Sequence, residues 1–184
     1  MGLLIENRFE VAAQPDEVYR LMLDVERVAP CIPGAEVTGQ GEDGSYDARV
    51  TVKLGPVSMT YRGTVAIESH DDAARTAALR AKATEARGQG TAQATMTMAV
   101  EAAEAGGSSV SVSTDMLVTG RVAQMGKGIM QDVATRMIGQ MARNMEALLD
   151  GDASTSVEAK PVGGVGLAAG VLADRVRRIG KRES

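Results

Sequence analysis

The chain has 184 residues, 44% hydrophobic and 24% charged, with a formal charge of −4; that is enough for one domain and a short appendage, and too little for two full domains. The acidic balance and a 2% aromatic content, with no Trp and one Phe, argue against a nucleic-acid surface, which needs basic patches and stacking rings. A single cysteine, Cys31, excludes an internal disulfide framework and points to a reducing compartment.

Charge is unevenly spread. From Gly151 onward there are six Lys/Arg and four Asp/Glu, hence +2, which leaves −6 on residues 1–150. The start, Met1-Gly2-Leu3-Leu4-Ile5, runs at once into Glu6 and Arg8, so no signal peptide is expected. Glu6 stands where myristoylation would want Ser or Thr, and no stretch reaches the roughly 20 apolar residues of a spanning helix. The expected location is cytoplasmic, peripheral at the inner face of the cell membrane if the tail attaches there.

Taken in order, Ile5, Asn7, Phe9 and Val11 alternate with Glu6, Arg8 and Glu10, which predicts a strand. Pro15 suits a first helical turn, with Asp16 and Glu17 behind it and Val18, Leu21, Met22 and Val25 at helical spacing. Pro30 and Pro33-Gly34 end this region as a short helix followed by a second turn. From Glu36 to Thr119 the period is two. Gly55-Pro56, His70-Asp71-Asp72, Gly88-Gln89-Gly90 and Gly106-Gly107 mark the turns. The result is a seven-stranded curved antiparallel sheet, apolar inside and polar outside. After Gly120 the period becomes helical: Met125, Ile129, Val133, Met137, Met141, Met145 and Leu148 recur at three or four residues. A helix of about 25 residues spans about 37 Å, enough to cross the sheet. The fold class is therefore α+β, in the order β-α-α-β6-α, a sheet wrapped around a long C-terminal helix.

Catalytic constellations are scarce. His70, the one histidine, falls in a turn, where a solvated residue is the ordinary case. Cys31 lies between two prolines and fits either a buried small hydrophobe or a reactive thiol. Gly88-Gln89-Gly90 and Gly126-Lys127-Gly128 lack the spacing of phosphate loops. No metal site and no covalent cofactor are expected.

The interior is more informative. Ala48, Gly63, Ala77, Ala81, Ala83, Ala92 and Ala94 project inward, and five of the eleven methionines lie on the predicted final helix. Small residues with adaptable Met walls fit a cavity for an apolar ligand. They fit as well a plain core in which alanine permits close helix–sheet approach and methionine fills the gaps. On the cavity reading the lining is Asn7, Phe9, Tyr46, Leu54, Met59, Tyr61, Met96, Met98, Thr114 and Met116 from the sheet. Ile129, Met130, Val133 and Met137 complete it from the helix. Asn7, Tyr46, Tyr61 and Thr114 are the inward polar groups, which need partners.

Residues 1–150 are read as one ligand-binding domain and residues 151–184 as a flexible linker and tail. In the tail Val165, Leu172, Val176 and Ile179 lie near one face, and Arg175, Arg177, Arg178, Lys181 and Arg182 form a basic end. That combination suits docking on an anionic membrane or a partner, and equally a solvated terminus.

Several pieces together resemble the carbon monoxide dehydrogenase G-subunit family, within the START-like helix-grip superfamily of polyketide cyclases and lipid-transfer domains. They are Asp24-Val25-Glu26, Cys31-Ile32-Pro33-Gly34, Val52-Lys53-Leu54-Gly55-Pro56, Tyr61-Arg62-Gly63 and Gly120-Arg121-Val122-Ala123-Gln124-Met125-Gly126. The resemblance covers roughly Leu3 to Leu149. It implies a hydrophobic cavity between sheet and helix that binds a quinone or lipid non-covalently. It also implies a non-catalytic accessory role beside an aerobic molybdenum hydroxylase of carbon monoxide dehydrogenase type, with recruitment of that enzyme to the membrane. It supplies no catalytic residues. Met137, Met141 and Met145 depart from the more aromatic helix expected of the family. Two rival functions share the fold: a membrane-recruitment scaffold with a filled core, and a cyclase- or dehydratase-like enzyme using Tyr46, Tyr61 or Asn7.

Overall fold

The computed structural model describes residues 1–151. The expected docking residues Val165, Leu172, Arg175, Val176, Arg177, Arg178, Ile179, Lys181 and Arg182 lie outside the described residues. The chain runs β1 (Gly2–Val11), α1 (Pro15–Leu23), α2 (Val25–Val28) and a 3₁₀ turn at Ala29–Cys31. Six strands follow: β2 (Ala35–Gln40), β3 (Tyr46–Leu54), β4 (Val57–Asp71), β5 (Thr76–Glu85), β6 (Thr91–Ala102) and β7 (Ser108–Val118). A 3₁₀ segment, Gly120–Met125, leads to the long helix α3 (Lys127–Leu149).

The seven strands form one antiparallel sheet in the order β1-β7-β6-β5-β4-β3-β2. Each hairpin pairs with the next, and β1 closes beside β7, so the two helices between β1 and β2 must bridge the whole width of the sheet. They sit at one end of it. Pro15 opens α1 with its missing N–H where no intrahelical partner exists, and Val18, Tyr19, Leu21 and Met22 form its buried face. The Asp24 carboxylate accepts from the Arg27 N–H and so caps α2 (3.1 Å).

Curvature comes from identifiable residues. Register shifts between Val37 and Gly39 and between Ile67 and Ser69 insert an extra residue into β2 and β4, which bends those strands. At Gly63 the ribbon of β4 and β5 is so tightly coiled that a Cβ would overlap the Lys82 carbonyl and the Ala83 Cα. The residues opposite Gly63 on either side, Ala48 and Ala83, are small for the same reason.

Two expectations need correction. The helix does not begin directly after Gly120: Gly120 and Gly126 both adopt positive φ (79° and 86°), and the stretch between them is 3₁₀. Met125 therefore precedes α3, which carries four of the methionines. His70 is not in a turn but in β4, because the bulge after Ile67 lets that strand continue to Asp71. The turn is Asp72–Arg75, and the Asp71 carboxylate accepts from the Ala73 and Ala74 N–H groups to brace it. Arg75 closes it with φ 50° and pairs with Asp16 of α1.

The core divides into two clusters. One joins α1, α2 and the C-terminal half of α3 to the sheet through Val11, Val18, Leu21, Cys31, Val100, Val110 and Met145. The other gathers Leu54, Met59, Tyr61, Val118 and Val122 at the opposite end. Each fully buried Leu, Val or Met stabilises by about 1.5–3 kcal/mol.

Gly→Ala inside a strand ordinarily gains about 0.5–1 kcal/mol. At Gly63 the sign reverses: Gly63→Ala is expected to lose about 1–3 kcal/mol by overpacking, measured as a lower urea midpoint at unchanged slope. A stabilised variant would mean the coil of β4 and β5 is not sterically tight.

Candidate functional site

The space between the sheet and α3 is unevenly filled. On α3 the fully buried residues are Met141, Ala142 and Met145, all in its C-terminal half. That half is tied down by polar contacts too: the Asn144 amide donates to the Cys31 carbonyl (2.9 Å), and the Glu146 carboxylate accepts from the Ala12 N–H (3.1 Å). Upstream, Met130, Val133 and Met137 are only half-buried. The close backbone approaches of α3 are chiefly to β1 and to the Ala29–Cys31 turn, not to the middle of the sheet.

The sheet rows facing that upstream half show the same pattern. One row runs Ile5–Thr114–Met96–Leu79–Ile67 and the next Leu3–Met116–Ala94–Ala81–Val65–Tyr46. Apart from Ile5 and Leu3 on β1, every residue of both rows is only partly buried. Ala81, Ala94 and Met96 belong to neither core cluster. An inward-facing apolar surface that solvent still reaches is a surface whose packing is incomplete. A small cleft of about 40 Å³, lined by Pro33, Thr51, Val52, Val133 and Met137, opens where α3 passes β3.

The predicted lining residues sort accordingly. Leu54, Met59, Tyr61 and Met98 are buried in the clusters, and Phe9, Met116, Met130 and Val133 pack against them. Asn7, Tyr46, Met96, Thr114 and Met137 are half-buried. Ile129, at 45% exposure, belongs to neither cluster and stands apart from the others.

Electrostatics inside the sheet centre on a residue that alternation alone did not single out. Glu85, the last residue of β5, is buried, inward-facing and directly opposite Tyr61. Burial, and then the Glu85 charge, push the Tyr61 phenol above its ordinary pKa. Parity could have found Glu85, since it follows Ala77, Leu79, Ala81 and Ala83 at intervals of two. Tyr19 was missed as well. Its hydroxyl meets the Asp72 carboxylate and the Thr76 carbonyl (both 3.2 Å), which ties α1 to the β4–β5 turn.

The other candidates are structural. Cys31 is 1% exposed, and burial raises its thiol pKa. His70 is exposed with its Nδ1 3.0 Å from Asp72. Among the described residues, no group of three or more His, Cys, Asp or Glu could hold a metal ion. An open groove of about 760 Å³ does lie on the outside of the sheet, floored by Ser69, Thr76, Ala78, Thr97, Ser111 and Ser113. Short side chains floor an open trough, with Glu6, Arg8, His70 and Asp71 also along it. An apolar ligand needs enclosure, which an open trough does not give.

The family model for the G-subunit of carbon monoxide dehydrogenase (CoxG) matches residues 8–150. Among solved structures, a conserved protein from Geobacillus kaustophilus is similar at 18% identity, covering 82% of this chain and 97% of its own, with a TM-score of 0.71. A START superfamily protein from Mycobacterium smegmatis is similar at 15% identity, covering 82% and 99%, with a TM-score of 0.53. The Zhui aromatase/cyclase from Streptomyces sp. R1128 is similar at 17% identity, covering 88% and 100%, with a TM-score of 0.51. At these identities the structures establish a shared START-like fold. No curated protein sequence matches the chain.

Two outcomes are expected. Ala81→Leu, which adds bulk to an unfilled row, changes stability by less than about 1 kcal/mol, whereas Met145→Ala loses about 2–5 kcal/mol; a large loss from Ala81→Leu in thermal melts would indicate a filled interior. Cys31 resists a thiol reagent in the native protein and reacts on unfolding.

Proposed function

The chain belongs to the carbon monoxide dehydrogenase G-subunit (CoxG) family, and on that premise we propose that it is a non-catalytic carrier serving a molybdenum hydroxylase of carbon monoxide dehydrogenase type. It holds an apolar molecule, a quinone or a lipid, between the sheet and the N-terminal half of α3, and it links the enzyme to the membrane. The observation that carries the binding half of this reading is the pair of partly solvent-reached rows through Met96 and Ala94, opposite a half-buried stretch of α3. Adaptable Met side chains and small Ala side chains suit a flat ring or an acyl chain. A quinone is the favoured cargo because an oxidoreductase needs an electron acceptor, and the common membrane acceptors are apolar.

The membrane half rests on sequence. No helix among the described residues is long and apolar enough to cross a membrane. The apolar and basic residues between Val165 and Arg182 supply a surface contact instead, at about 1 kcal/mol per basic residue near an anionic leaflet.

The test is native mass spectrometry and organic extraction of protein purified from its own host, followed by titration with added quinone. A near-stoichiometric quinone or lipid supports the carrier and names its cargo. An empty protein that also refuses quinone overturns it and leaves the recruitment scaffold. Removal of residues 151–184 is expected to release the partner enzyme from membranes while leaving ligand binding intact.

A further inference from the structure

Inside the sheet, two polar groups are left over by the packing of the chain. Tyr61 on β4 and Glu85 on β5 are direct cross-strand partners on the inner face, 6% and 7% exposed. One carboxylate oxygen of Glu85, Oε2, accepts from the backbone N–H groups of Arg87 (2.8 Å) and Gln89 (3.3 Å) in the β5–β6 turn. Those bonds fix the plane of the carboxylate. With the described residues, its Oε1 and the Tyr61 hydroxyl make no hydrogen bond, to each other or to anything else. Among the described residues, no polar side-chain atom is sealed from solvent without a partner. Both atoms are therefore reachable from the space beside them. The neighbouring row on the same face is Gly63–Ala83–Ala92, the small residues that lead toward the unfilled rows.

A donor and an acceptor, side by side in an apolar wall and not satisfying one another, are left to water or to a ligand that reaches them. The complement of that pair is a group that accepts one hydrogen bond and donates another. We propose that Tyr61 and Glu85 form a hydroxyl-recognition site, which holds the alcohol or phenol end of the apolar ligand. Tyr61 donates to the ligand oxygen, and Glu85 Oε1 accepts the ligand's hydroxyl proton. A tyrosine phenol is protonated, and so a donor, at neutral pH, and burial and the Glu85 charge push the Tyr61 pKa further up. The inference rests on the carrier reading and narrows it: a hydroquinone satisfies both groups, whereas a quinone carbonyl satisfies Tyr61 alone and turns its lone pairs toward Glu85.

Three probes of one ring system test this on the full chain by calorimetric or fluorescence titration: naphthalene, 2-methoxynaphthalene and 2-naphthol. The methoxy compound accepts a hydrogen bond and donates none. Wild type is expected to bind 2-naphthol about tenfold more tightly than 2-methoxynaphthalene, the usual scale of a hydrogen bond to a charged group. Glu85→Gln keeps its carbonyl on the Arg87 and Gln89 N–H groups and so turns an amide N–H inward, which removes or reverses that preference. Tyr61→Phe brings 2-methoxynaphthalene down to the affinity of naphthalene, and it decides the matter by itself should Glu85→Gln fail to fold. Equal wild-type affinity for 2-naphthol and 2-methoxynaphthalene, or a preference indifferent to both substitutions, overturns the hydroxyl site and leaves the cavity standing. Failure of all three probes to bind overturns the cavity and this site with it.

Discussion

The carrier reading depends on α3 being fastened at both ends, most firmly at its C-terminal one. Met145 has no exposed surface, and Met141 and Ala142 beside it are buried against β1 and the α1–α2 corner. Asn144 and Glu146 add directional bonds to the Cys31 carbonyl and the Ala12 N–H, groups that neither helix nor sheet would otherwise satisfy. These contacts set the angle at which the helix leaves the first cluster. The N-terminal half of α3 then follows as a rigid rod over the sheet, held at its far end by Met130 and Val133 against the second cluster. Between the two fastenings the rod passes over rows that are only partly buried.

Composition explains why those rows are incompletely covered. A coiled sheet draws its strands closest on the inner face, and at Gly63 the approach leaves no room for a Cβ. Alanine on the adjoining rows fits the same crowding near the backbone, but it projects too little to reach a helix about 10 Å away, a typical spacing for packed layers. A protein with more aromatic residues would bridge the gap with rings. Here half-buried Met96, Met116, Met130 and Met137 stand in place of rings, and an unbranched thioether adjusts its shape to whatever is present.

Period-two alternation with glycine punctuation made the sheet legible from sequence, because each strand buries one face and each turn needs a backbone that only Gly or Asp supplies readily. The final helix was legible for the complementary reason, its three-and-four spacing. Its true start was not. Gly126 stops the hydrogen-bond ladder one turn after the apolar spacing has begun, and spacing alone does not register a positive φ. The candidate site divides along the same line. Met96, Thr114, Tyr61 and Glu85 all share the inward parity, but Glu85 also looks like any charged residue ahead of a turn. Its burial depends on accepting two turn N–H groups, a relation between side chain and backbone that periodicity does not encode. Ile129 lies at the exposed edge of the stripe for a simpler reason. Helical spacing admits a wide stripe, and only the position of the neighbouring strands decides which edge of it meets the sheet.

A carrier must release what it binds, and the split core sets a scale for that. A ring-sized ligand burying about 300 Å² of apolar surface gains about 7–8 kcal/mol before the cost of immobilisation. The remainder corresponds to micromolar affinity or weaker. Such a site fills from a membrane or a partner where the ligand is abundant, and empties where it is scarce. A completed core under α3 would remove the site, and an aromatic-lined one would hold its cargo longer. On the carrier reading, two fastened ends with small and flexible side chains between them would leave the affinity in the range where exchange is fast, without asking either core cluster to unfold.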